Sequence, residues 1–137
     1  MAAKDKYFDS VKVALEKDGW TITNEEFRLL FDESDGFVDI LAEKPLIAQK
    51  GDRKIAVEVK TFAGRSLMTD FQKALGQFMI YRTSLSVSDP QRQVVLAVPV
   101  DTANIFFGPM ATMLRQEIKL VVLVYEPNAE EIVQWIE

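Results

Sequence analysis

The sequence predicts an α/β domain, a mixed β-sheet flanked by helices and occupying residues 1–137 as one unit. Three observations predict it. Two continuous apolar runs, Val94 to Val98 and Leu120 to Tyr125, read as strands buried on both faces. Two more strand-like runs, Leu46 to Lys50 and Arg53 to Lys60, flank Gly51-Asp52, a two-residue hairpin signal. Helical patterns precede and separate these runs, which places helices on both sides of the sheet.

The elements follow in order. Lys4 to Lys17 reads as an amphipathic helix, because Tyr7, Val11, Ala14 and Leu15 fall on one face at helical spacing. Gly19 is its stop signal. Trp20 to Thr23 is a short strand, a second lies near Phe27 to Phe31, and Gly36 opens a third, Phe37 to Glu43. The hairpin follows. Leu67 to Leu85 is a long helix with Ser66 as N-cap and Leu67, Phe71, Ala74, Leu75 and Phe78 as its buried face. Pro99 ends the first apolar strand. Thr102 to Gln116 is helical with an interruption at Gly108-Pro109. Pro127-Asn128 is a turn, and Ile132 to Ile136 a last, edge strand.

Composition narrows the chemistry. The 137 residues include no histidine and no cysteine. That excludes Ser-His-Asp and Cys-His nucleophile systems, thiolate or histidine metal centres, and disulfide frameworks. Carboxylate chemistry, lysine chemistry and binding remain, and a metal held by Asp and Glu oxygens would be a hard cation, Mg²⁺, Mn²⁺ or Ca²⁺. No apolar run approaches the roughly 18 residues of a membrane span, and no signal-peptide core is present, so a soluble cytoplasmic protein without a membrane partner is expected.

The net charge of −5 argues weakly against a nucleic-acid partner, but its distribution argues the other way. Residues 44 to 92 hold nine basic residues and four acidic ones, so this segment is +5 and the two flanks together are −10. This is either chance unevenness on a solvated surface or one basic face on an otherwise acidic protein; the second makes DNA an expected partner, with Lys54, Arg65, Lys73 and Arg82 as candidate contacts.

One constellation in this segment could carry chemistry. Along Arg53 to Lys60 the side chains alternate, so Glu58 and Lys60 share a face. Asp39, Leu41 and Glu43 likewise share a face of the preceding strand. If the two strands pair suitably, Asp39 and Glu58 converge with Lys60 beside them. Two carboxylates and a lysine are what metal-dependent phosphodiester cleavage requires. The carboxylates, with the backbone carbonyl of Val59, would hold Mg²⁺, and Lys60 would orient water or neutralise charge on the phosphate. A bare E-x-K is three residues long and common by chance. On the long helix, Lys73, Gln77 and Tyr81 form a stripe bordering the buried face, and this would bring Gln77 and Tyr81 to the edge of the site.

Asp39, Glu58-Val59-Lys60 and Gln77-x-x-x-Tyr81 together resemble the PD-(D/E)xK nuclease superfamily, in the branch with a Q-x-x-x-Y helix motif. The blocks DGWTIT (Asp18 to Thr23), VDILAEK (Val38 to Lys44), KIAVEVKTF (Lys54 to Phe62), ALGQFMIYR (Ala74 to Arg82), LAVPVDT (Leu96 to Thr102) and IVQWI (Ile132 to Ile136) resemble the XisH family, the fdxN-element excision-controlling factors of cyanobacteria. Six blocks in order span nearly the whole chain.

The resemblance implies a restriction-endonuclease-like αβββαβ core. It implies a role in programmed excision of a DNA element, accessory to a site-specific recombinase and together with a small partner protein, XisI. It also implies that Asp39, Glu58 and Lys60 are the D…E-x-K catalytic set, that Asp39, Glu58 and Val59 hold Mg²⁺ or Mn²⁺, and that Gln77 and Tyr81 are the helix motif. Glu43 matches the acid of the AE block. An acid on the first helix often assists the metal in the superfamily, and Asp9 and Glu16 are the candidates here. Val38 stands where the motif's leading proline would be, and Phe8 where the family's first helix often has histidine. Nucleases of this fold often pair, so a homodimer is a further expectation. The alternative activity is a non-catalytic DNA- or protein-binding accessory factor that regulates a recombinase.

Overall fold

The computed structural model describes residues 7–24, 29–33, 36–40, 46–62 and 64–137, with side chains described for 7–23, 46–62 and 64–137. The elements are α1 (Phe8–Lys17), β1 (Thr21–Asn24), β2 (Leu29–Glu33), β3 (Gly36–Ile40), β4 (Leu46–Lys50), β5 (Arg53–Val59), α2 (Leu67–Ser88), β6 (Arg92–Pro99), a 3-10 turn (Ala103–Phe106), α3 (Pro109–Ile118), β7 (Val122–Glu126) and β8 (Glu131–Ile136). Six strands form one mixed sheet in the order β1-β4-β5-β6-β7-β8, and β2-β3 is a separate hairpin.

The sheet is mixed because of its connections. Gly51, at φ 59°, makes the tight turn that folds β5 back antiparallel on β4. The β5–β6 and β6–β7 links each contain helix, so these pairs are parallel. β7 and β8 are antiparallel across a short turn. The apolar run of β6 sits between β5 and β7, with its last six residues buried, as expected of a strand covered on both faces. β8 is one edge strand, as expected, and most of its residues are at least partly open to solvent.

Two cores lie on the two sheet faces. Val11 and Leu15 of α1 pack with Ile55, Val57, Val59, Val95, Ala97 and Leu123. Phe71, Ala74, Phe78, Tyr81 and Leu85 of α2 pack with Ala56, Val94, Leu96, Val98, Val122 and Val124. The alternation of β5 and β6 residues between these cores is the strand period made visible.

The helix ends follow local chemistry. The backbone N–H of Thr69 donates to Ser66 Oγ at 3.1 Å, which caps α2. Gly19, at φ 91°, lets the chain leave α1, and the Trp20 N–H then closes on the Leu15 carbonyl at 3.0 Å. The expected break at Gly108-Pro109 is real: Pro109 opens α3 at a position where its missing N–H costs nothing. Leu67 departs from the expected buried face. It is 46% exposed, because α2 meets the sheet one turn later, at Phe71. The expected start of α1 at Lys4 and the expected end of the third strand at Leu41 to Glu43 lie outside the described residues. Among the described residues, no helix is long and apolar enough to cross a membrane.

Candidate functional site

β5 carries the centre of the site. Ile55, Val57 and Val59 enter the α1-side core and Ala56 the α2-side core. Glu58 and Lys60 therefore belong to the face that α2 covers. Glu58 is 1% exposed and, with Ser84, is one of two buried polar or charged residues among the described side chains. Lys60 Nζ stands 3.7 Å from Glu58 Oε1 and is itself largely buried. The ladder holds this geometry to its end, since the Lys60 N–H donates to the Ala97 carbonyl at 2.9 Å. The pair thus sits at the carboxyl end of a central strand with a parallel neighbour, where open α/β sheets gather their sites. A carboxylate withdrawn from water loses several kcal/mol of solvation, so fold stability alone gives no reason for one here.

α2 contributes Gln77. Its Oε1 is buried and accepts no hydrogen bond among the described residues, a costly state for an amide oxygen. Tyr81 does not border the buried face as the spacing predicted. It is 2% exposed and packs in the α2-side core with Phe78 and Leu85. The stripe is wider than the period suggested because α2 is covered by β2 as well as by the sheet.

Asp39 lies in β3, opposite Leu30 of β2. The direct pairing of its strand with β5, one condition for the two carboxylates to converge, is not formed. β4 occupies one edge of β5 and β6 the other, so no edge remains for β3. The β2-β3 hairpin instead adjoins α2 through β2. The side chain of Asp39 and all of Glu43 lie outside the described residues. Among the described residues, no three carboxylates cluster as a complete metal cage.

The other candidates scatter. Val59 sends its side chain, 4% exposed, into the α1-side core. Tyr7 meets Tyr125 edge-on at 6.2 Å, which puts the start of α1, and Asp9, at the carboxyl end of the parallel strands but on the opposite sheet face from Glu58. Glu16 is exposed near the other end of α1. Lys54 is at the hairpin end of β5, six residues or roughly 20 Å from Lys60. Arg82 donates to the Ile118 carbonyl at the end of α3 and lies 5.0 Å from the Phe78 ring centre, so it braces two helices. Arg65 and Lys73 are exposed on and just before α2.

Two features escaped the sequence reading. The loop between β5 and α2 is clamped by Asp70, whose Oδ2 accepts from the Gly64 N–H at 2.8 Å. An acid in the first turn of the helix was its available signal. Phe62 sits in the left-handed region at φ 57°, which nothing in an aromatic residue announces.

The family model described as XisH protein matches residues 1–133. No match was found among curated proteins. Two solved structures are similar over nearly the whole chain. One is an XisH family protein from Nostoc punctiforme, 37% identical, with a TM-score of 0.86, covering 97% of this chain and 100% of that one. The other is an fdxN element excision controlling factor protein from Anabaena variabilis, 36% identical, with a TM-score of 0.85, covering 96% of this chain and 98% of that one. The order of blocks, the fold and the family match agree: this chain belongs to the XisH family.

Proposed function

We propose that the chain acts in the excision of a DNA element, assisting a site-specific recombinase, and that the Glu58–Lys60 site hydrolyses a phosphodiester bond with Mg²⁺ or Mn²⁺ as an endonuclease or nickase of PD-(D/E)xK type. The observation that carries this reading is the buried Glu58 carboxylate with Lys60 Nζ at 3.7 Å, at the carboxyl end of a central strand. The Anabaena variabilis relative, an excision controlling factor, supports the biological setting.

The residues present fit a hard cation. Glu58 offers a desolvated carboxylate, and Gln77 Oε1 is a buried oxygen that accepts no hydrogen bond among the described residues. Glu58, Asp39 and the carbonyl of Val59 would hold the ion, all oxygen donors, as a chain without histidine or cysteine requires. Bound there, it would supply positive charge to the phosphate and acidity to a water molecule. Lys60 would orient the attacking water or neutralise charge gathering on the phosphate oxygens. Gln77 would steady the water or the ion from α2. Tyr81, being core, would act by fixing the helix that presents Gln77.

DNA, an XisI-like small protein, a recombinase and a second copy of the chain are the partners this reading calls for. A non-catalytic accessory role is favoured by one observation: Lys54 is remote from Lys60 and Arg82 is spent on Ile118, so these basic residues form no single phosphate track. The test is incubation of purified protein with supercoiled and linear DNA in Mg²⁺ or Mn²⁺. Nicking that disappears in Glu58→Gln and Asp39→Asn is expected. Cleavage that survives both substitutions refutes the catalytic role.

A further inference from the structure

The chain between β5 and α2 contains a conformation that an aromatic residue adopts at a cost. Phe62 has φ 57°, the left-handed region in which a Cβ crowds the backbone and glycine or asparagine is the usual occupant. Such a conformation persists where its surroundings over-determine it. The surroundings are visible. The Phe62 ring is partly buried against the α2-side core and meets Phe106 of the 3-10 turn edge-on, with centroids 6.0 Å apart. Phe106 is 0% exposed and lies 5.3 Å from the Phe71 ring of α2. Three rings from three segments therefore lock one backbone position. Two residues before it, the Lys60 N–H makes its bond to Ala97. Two residues after it, the Gly64 N–H is held by Asp70. The chain is held at Lys60 and again at Gly64, with the left-handed residue Phe62 between them.

We propose that Phe62 is a positioning residue for Lys60: the turn it enforces, anchored by Phe106, keeps the Lys60 ammonium against Glu58. In an ordinary extended conformation at residue 62 the chain would continue along the strand direction, and the segment carrying Lys60 and Thr61 would lose its fixed exit. The clamp acts on the side chain that the phosphodiesterase reading makes central, so its effect on cleavage rests on that reading. Its effect on Lys60 does not.

Both readouts are therefore measured. Lysine labelling by acetic anhydride, followed by mass spectrometry, is compared in the wild type, Phe62→Gly, Phe62→Tyr and Phe106→Leu, with Lys54 and Lys73 as internal references. Far-UV circular dichroism selects the variants that fold. Phe62→Gly frees the turn and removes the ring, so Lys60 labelling rises while the references hold. Phe62→Tyr keeps the ring and keeps Lys60 protected. Phe106→Leu, which leaves residue 62 untouched, raises Lys60 labelling partway. In the cleavage assay Phe62→Gly lowers kcat on the order of a hundredfold with little change in KM, the signature of a misplaced group. Lys60 labelling that is unchanged in both folded variants, Phe62→Gly and Phe106→Leu, overturns the proposal. A labelling change without cleavage in any protein upholds it and refutes the phosphodiesterase reading instead.

Discussion

Replacing Lys60 by methionine will cost far more stability than replacing Glu58 by glutamine. At 3.7 Å and an effective dielectric of about 20, the attraction between the two charges is about 4 kcal/mol. Glu58 is 1% exposed, and burying its carboxylate costs several kcal/mol, so attraction and desolvation nearly cancel. Lys60→Met removes the cation and keeps the buried anion. A loss of about 3 kcal/mol is expected, which for a chain of this length lowers Tm by roughly 6–12 °C. Glu58→Gln removes the anion at nearly constant volume, and Lys60 can reach solvent. Its stability should stay within about 1 kcal/mol of the wild type or rise, as expected where a charge is kept for activity rather than for folding. Thermal unfolding followed by circular dichroism, with and without Mg²⁺, separates the cases. Mg²⁺ should raise the Tm of the wild type and leave that of Glu58→Gln unmoved. If Glu58→Gln loses as much stability as Lys60→Met, the pair is a structural ion pair and the reasoning fails.

Three further outcomes follow from the fold. Ser66→Ala removes the oxygen that accepts from the Thr69 N–H and should cost about 1 kcal/mol in urea unfolding. Gly76 is exposed in α2 and, among the described residues outside its own turn of helix, no atom lies within 4 Å of an added Cβ, so Gly76→Ala should stabilise by about 0.5–1 kcal/mol. Gly51→Ala has equal space but a φ of 59°, so it should destabilise by about 1 kcal/mol, which shows that the turn's dihedral and not crowding sets its glycine.

The fold was readable where local chemistry decides. The Gly51-Asp52 hairpin, the apolar β6 and the Gly108-Pro109 break each depend on dihedral preference or continuous apolarity, properties of neighbouring residues. What escaped depends on remote parts of the chain. That β3 does not pair with β5 follows from β4 and β6 occupying both edges of β5, a fact about partners rather than about Phe37 to Ile40. The spacing puts Tyr81 at a border because helical period gives the centre of a buried stripe but not its width, and β2 widens it. Phe62 escaped because an aromatic residue carries no signal for a left-handed turn, which here is imposed by Phe106 and the core.

The site was readable in part for the same reason. Glu58 and Lys60 share a face by strand period alone, and the structure adds their burial and the distance between them. The reading of the basic segment as one DNA-facing surface rested on linear charge counts. The fold instead divides these residues between the hairpin end of β5, the exposed surface of α2 and a bond from Arg82 to the end of α3.

The proposed function requires Glu58 to anchor a hard cation. A crystal soaked in Mn²⁺ and measured at the manganese edge tests it directly. An anomalous peak within coordination distance of a Glu58 carboxylate oxygen, absent in a Glu58→Gln crystal treated in the same way, is the predicted result. A Glu58 carboxylate that stays paired with Lys60 and shows no peak in the soaked wild type would contradict it.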